Sequence, residues 1–152
     1  MSNLPRPDEP AFVGSGSADA ATVSQLRRDF AAWLGQRFAL DEVRFSGAVL
    51  AVYEALANAA EFAYVGLPAA GTLSLEAHHD GAANRLNVQI RDHGSWREVM
   101  HAARDNTRGR GIPLMKALAD ETIIDRSPSG TVVLLRFDDV RAVDGETFAA
   151  SA

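Results

Sequence analysis

Four short clusters in this chain carry residue types whose spacing could do chemistry. The first is Glu54, Asn58 and Glu61, at i, i+4 and i+7, a spacing that places all three on one face of a helix. Asn is a mediocre helix former because its side chain competes for backbone hydrogen bonds. Taken alone, the triplet reads as a solvated face. The second cluster is Asp92-His93-Gly94, directly after the alternating Leu86, Val88 and Ile90. A carboxylate at a strand end can face a pocket at the sheet edge and accept a hydrogen bond from an exocyclic amine such as that of adenine; alone, it reads as a turn. The third is Arg108-Gly109-Arg110-Gly111-Ile112, running into Pro113, Leu114, Met115 and Leu118. Glycines at i and i+2 before a helix let backbone N–H groups approach a phosphate, and the helix N-terminus adds its positive end. The flanking arginines add charge and bidentate donors. The fourth is Gly130-Thr131, by itself only a hairpin turn.

Regular elements must position these clusters. Ala11 to Ser17 reads as a short strand. Asp19 is an N-cap for a helix with Val23, Leu26, Phe30, Trp33 and Leu34 at helical spacing, ending near Phe38. Asp41 caps a second helix that runs to about Tyr64 and stops at Gly66 and Pro68; its stripe of Val52, Leu56, Ala59 and Ala63 lies opposite Glu54, Asn58 and Glu61. Thr72 to His79 and Leu86 to Asp92 alternate as strands around the turn residues Asp80, Gly81 and Asn84. Gly111 to Ala119 reads as a short helix, with Pro113 in its first turn. Thr122 to Asp125 and Thr131 to Phe137 form a closing hairpin. Consecutive strands with helices clustered early predict an α+β, two-layer sandwich of helices on a mixed, mostly antiparallel sheet. Residues 1–10 are expected to be a disordered lead, 11–137 the folded domain and 138–152 a flexible tail. Phe30 and Trp33 are expected in the core, and His78 and His79 as exposed strand-end residues rather than metal ligands.

Composition narrows the chemistry. The 152 residues contain no cysteine, which excludes disulfides, thiolate catalysis and Cys-type metal sites. Fifteen Lys and Arg against 20 Asp and Glu give a net charge of −5, which argues against electrostatically driven binding to nucleic acid or membranes. Lys116 is the only lysine, so a Walker A loop and a protein-kinase-type strand lysine are both excluded. The polar N-terminus has no apolar signal-peptide core, and no run approaches the roughly 18 apolar residues of a membrane span. The expected location is cytoplasmic.

In order and spacing the four clusters resemble the Asn box, the two glycine boxes and the Gly-Thr box of the Bergerat ATP-binding fold, shared by gyrase, histidine kinases and MutL. The segments EALANAAEFAY, VQIRDHGSWRE, RGRGIPLMKALAD and SGTVVLLRF resemble the anti-sigma factor serine/threonine kinases of the RsbW and SpoIIAB type. The resemblance spans roughly Ala18 to Phe137. It implies Glu54 as the general base for a seryl hydroxyl and Asn58 as the ligand of Mg²⁺. It implies Asp92 as the adenine-recognising carboxylate, with Gly94 the first glycine after it, and Thr131 beside the adenine. Gly109 and Gly111, with Ile112, fall at the phosphates, and Arg108 and Arg110 are the candidates for γ-phosphate contact. Ser95 to Thr107 would form the lid over ATP. Trp96 stands where the wider superfamily has a glycine, which implies a reshaped lid, and Arg97 and Arg104 are alternative candidates for a partner surface.

The function so implied is an anti-sigma factor that uses ATP and Mg²⁺ to phosphorylate an anti-anti-sigma (STAS) protein and binds a sigma factor by partner switching. A homodimer is expected, with no direct nucleic-acid contact. The alternative is a nucleotide-binding regulatory module without phosphotransfer. A sensor histidine kinase is not the expected reading, because no helical hairpin with a phosphoacceptor histidine stands ahead of the ATP motifs in this sequence.

Overall fold

The computed structural model describes residues 10–64, 71–93, 111–127 and 130–143. In chain order these form β1 (Phe12–Ser17), α1 (Ala20–Arg37), β2 (Phe38–Ala39), α2 (Glu42–Tyr64), β3 (Thr72–Asp80), β4 (Arg85–Asp92), α3 (Gly111–Leu118), β5 (Glu121–Ser127), β6 (Gly130–Phe137) and β7 (Arg141–Ala142). Three helices pack on a five-stranded sheet of order β1-β3-β4-β6-β5, and β2 pairs with β7 in a separate two-stranded ribbon. The layers are the α+β sandwich expected. Every described strand pair is antiparallel, in keeping with the mostly antiparallel sheet expected. The connections account for this: β5 runs in the same sense as β4, but β6 enters between the two and opposes both.

Local chemistry sets the helix starts. Asp19 is extended (φ −141°, ψ 171°) and its Oδ1 accepts from the Thr22 amide at 2.8 Å. Asp41 Oδ1 does the same for the Arg44 amide at 2.7 Å. Each satisfies an amide that the first turn leaves without an intrahelical partner. The α1 positions Val23, Leu26, Phe30 and Leu34 are buried. Gly14 of β1 allows this packing, because a Cβ there would lie 2.6 Å from Leu26 Cδ2. Phe30 and Trp33 belong to an aromatic cluster with Phe12 and Phe38, with ring centroids 5.1–5.9 Å apart.

The 23-residue α2, about 34 Å long, lies between α1 and α3 and over the sheet. Five buried alanines, Ala48, Ala51, Ala55, Ala59 and Ala60, let its neighbours approach closely. Beneath it the inward faces of the strands form continuous rows. One row runs Gly14, Leu75, Ile90, Val133, Ile124 in register across all five strands.

The chain remains structured past Phe137. Val140 is 1% exposed, and its amide donates to Asn84 O at 2.8 Å. Arg44 donates to the carbonyls of Asp138 and Asp139, β7 pairs with β2, and the Val143 amide reaches Arg37 O at 2.8 Å. The segment 138–143 is therefore part of the fold rather than of a tail. His79, expected to be exposed, is half-buried: its Nε2 donates to Val140 O at 2.7 Å, and its ring lies 4.6 Å from that of Phe38. Among the described residues no cluster of three or more His, Asp or Glu could hold a metal, and no helix is long and apolar enough to cross a membrane.

Candidate active site

Among the described residues, three polar side chains are buried: Asn58, Asp92 and Thr131, at 6%, 3% and 5% exposure. Burying a polar group without compensation costs a few kcal/mol, so their placement needs a reason. All three are residues singled out from the sequence. Asp92 ends β4, Thr131 is the second residue of β6, and the two strands are neighbours. Asn58 lies on α2 and shares a narrow cleft with Ala59, Ile124, Arg126, Thr131 and Val133. The amphipathic reading of α2 needs correction here. Asn58 is not on a solvated face, and Glu54 and Glu61 are half-buried. Because α2 has neighbours on both flanks as well as the sheet below, its apolar stripe covers only part of the buried circumference.

A glycine controls the approach of Thr131 to Asp92. Gly130 has φ +136°, and a Cβ on it would sit 2.1 Å from Asp92 O and 3.2 Å from Asp92 Oδ1. An L side chain fits neither the conformation nor the space. Behind Asp92, pairing with Leu73 and the His93 amide to Thr72 O at 3.1 Å hold the strand end in place. Ser127 Oγ donates to Gly130 O at 3.2 Å and ties β5 to the same corner. Thr131 Oγ1 is buried and has no hydrogen-bond partner among the described residues. A buried hydroxyl in that state, on the wall of a cleft, is suited to a ligand's polar atom.

Gly111 is the first residue of α3, Ile112 is half-buried and Pro113 is exposed in the first turn. Met115 anchors the helix in the core, and Lys116 is exposed. Gly94, Arg108, Gly109 and Arg110, and the lid expected over Ser95 to Thr107, lie outside the described residues. The sequence reading missed Arg126. Its signal was present in β5, where Thr122, Ile124 and Arg126 alternate on the inward face opposite Leu135, Val133 and Thr131.

Residues 16–137 match the family model described as the histidine kinase-like ATPase domain. The chain belongs to that family. Two solved structures show how widely the histidine kinase-like ATPase fold is shared. The RsbU and RsbW domains of Rv1364c from Mycobacterium tuberculosis superpose with a TM-score of 0.63 at 20% identity, over 88% of this chain and 34% of that one. The histidine kinase domain of the Erythrobacter litoralis EL346 blue-light activated histidine kinase gives 0.53 at 18% identity, over 77% and 63%. This chain thus spans about a third of the first and under two thirds of the second. No curated protein matches the sequence. The cleft of Asn58 and Thr131 thus lies within a histidine kinase-like ATPase domain.

Proposed function

We propose that this histidine kinase-like ATPase domain is an anti-sigma factor with ATP-dependent serine/threonine kinase activity towards an anti-anti-sigma (STAS) protein. The observation that carries the reading is the joint burial of Asn58, Asp92 and Thr131 at one end of the sheet. In that reading Asp92 accepts a hydrogen bond from the adenine amine, and Thr131 Oγ1 supplies a second polar contact to the base. Gly94, and Gly109 with Gly111 and Ile112, bring backbone amides towards the phosphates, while Arg108 and Arg110 add charge to them.

The donor set fits magnesium. Asn58 offers one neutral side-chain oxygen in the cleft, and Mg²⁺ in nucleotide sites is held by few protein groups, the phosphates and waters. When bound, the ion would neutralise phosphate charge. Glu54 lies one helical turn before Asn58 on α2. Its carboxylate takes the proton of the seryl hydroxyl as that oxygen bonds to the γ-phosphorus and the bond to the ADP oxygen breaks. The product carries about −2 of new charge, which disrupts a fitted interface. Release of the phosphorylated STAS protein and retention of the sigma factor would follow, in a cytoplasmic homodimer with no direct nucleic-acid contact.

The test is a phosphotransfer assay with purified STAS protein, ATP and Mg²⁺, alongside ATP titration. Magnesium-dependent binding with transfer to serine or threonine supports the reading. Binding without transfer to any STAS protein leaves the nucleotide-binding regulatory module. Absence of ATP binding overturns both.

A further inference from the structure

Where α1 packs on α2, a groove remains between the two helices. Its α2 wall steps from Ser46 through Leu50, Tyr53 and Ala57 to Glu61. Those steps are three or four residues each, so one stripe of the helix runs the whole groove, about 22 Å. Ser24 and Tyr53 border both halves, which makes the groove continuous. The wider half, of about 580 Å³, lies towards the start of α2. Its walls are apolar: Phe45 and Tyr53 rest one side on the core, Val49 is buried, and Leu50 is left 40% exposed.

The charge lining that wider half is Arg27 of α1. Among the described residues the half-buried arginines are Arg27, Arg44 and Arg136. Arg44 donates to the carbonyls of Asp138 and Asp139, and Arg136 to the carboxylates of Glu121 and Asp138. Arg27 makes no hydrogen bond or ion pair among the described residues. A guanidinium partly withdrawn from water has given up solvation, and an arriving carboxylate restores it through two parallel charge-assisted bonds. The whole chain carries a net charge of −5, so an acidic partner is drawn to this groove and not to the surface at large.

We propose that the α1–α2 groove docks an amphipathic helix of a partner protein, with an apolar ridge on Val49, Leu50 and Tyr53 and an acidic side chain of that ridge paired with Arg27. Both walls are helical, and a third helix laid between them presents side chains at the same three- and four-residue spacing. The length suits about 15 helical residues, four turns. The acidic side chain answers the cation of the wider half, where no carboxylate lines the wall. This surface shares no side chain with the cleft of Asn58 and Thr131, so its role stands or falls apart from nucleotide binding.

Fluorescence anisotropy with labelled synthetic helices of about 15 residues tests this. The peptides carry leucine at i, i+3, i+4 and i+7 and differ at one position of that stripe, Glu in one and Lys in the other. The full chain is expected to bind the Glu peptide about 10-fold or more tightly than the Lys peptide, because the lysine sets like charge beside Arg27. Arg27→Glu is expected to invert that order. Leu50→Asp is expected to weaken both peptides about 10-fold, the loss of an apolar contact. Arg27 makes no hydrogen bond among the described residues and Leu50 is 40% exposed, so Tm is expected to hold in both variants, which separates lost docking from lost fold. Equal affinity for the two peptides, an order that Arg27→Glu leaves unchanged, or no binding by the wild-type chain overturns the proposal. So does sedimentation in which the wild-type chain self-associates and both variants are monomeric, which gives the groove to a second copy.

Discussion

Gly130 stands so close to Asp92 that a Cβ on it would lie 2.1 Å from the Asp92 carbonyl oxygen. The first residue of β6 and the last of β4 thus pack backbone against backbone, and Thr131 follows at once. A glycine that looks like a hairpin residue in the sequence is a spacing device for the two polar side chains beside it.

Replacing that glycine tests the device. Gly130→Ala must relieve both a positive φ and a backbone overlap, at a cost of about 2–4 kcal/mol. For a chain of this length that lowers Tm by about 5–15 °C. Thermal unfolding checks it, and an unchanged Tm would refute the packing described. Nucleotide affinity is expected to fall as well, because Thr131 moves with the strand.

Asp92→Asn keeps the shape of the side chain and removes its charge. The amide can still accept through its oxygen but with a weaker bond, so ATP and adenosine affinity are both expected to drop about 10-fold or more. Calorimetric titration with both ligands reads this directly. A loss confined to ATP would place Asp92 at the phosphates instead.

Glu54→Ala separates binding from chemistry. Transfer to the STAS protein is expected to slow about 10²- to 10⁴-fold, the usual worth of a positioned general base, with ATP affinity within a few-fold of wild type. Wild-type transfer in this variant would exclude Glu54 as the base.

Asn58→Ala removes the one side-chain oxygen assigned to magnesium. The gain in ATP affinity that Mg²⁺ gives the wild-type protein is expected to shrink or vanish, while affinity measured in EDTA changes little. Comparing the two titrations checks the assignment, and an undiminished magnesium effect would count against it.

Val140→Ala probes the far end of the molecule. Val140 is buried between the β3–β4 turn and the start of α2, so the cavity costs about 1–3 kcal/mol. A fall in Tm of about 3–10 °C is expected, with ATP affinity unchanged, because Val140 lies by the turn end of the sheet and Asp92 at the opposite end.

Most of the scaffold was legible from periodicity and caps. Asp19 and Asp41 mark their helices, and Leu73, Leu75, Ala77, Leu86, Val88 and Ile90 face inward as their alternation requires. What escaped depends on neighbours far away in sequence. The burial of Asn58 follows from what surrounds α2, which no helical wheel contains. Arg126 became visible only through its register with Thr131. The ordering of 138–143 depends on donors from Arg44, Asn84-side backbone pairing and His79, each remote from that acidic stretch.

Strand order has a consequence for how the cleft comes into being. Asn58 and Thr131 are brought together only when β6 has inserted between β4 and β5 and α2 lies across them. The walls come from α2, β5 and β6, so under the proposed function nucleotide recognises a state in which all three are packed and not an unfolded chain. Ligation then acts on global unfolding: at a hundredfold excess over Kd the domain gains about 2.7 kcal/mol. On that reading ATP supply becomes a quantity that the stability of the folded protein reports.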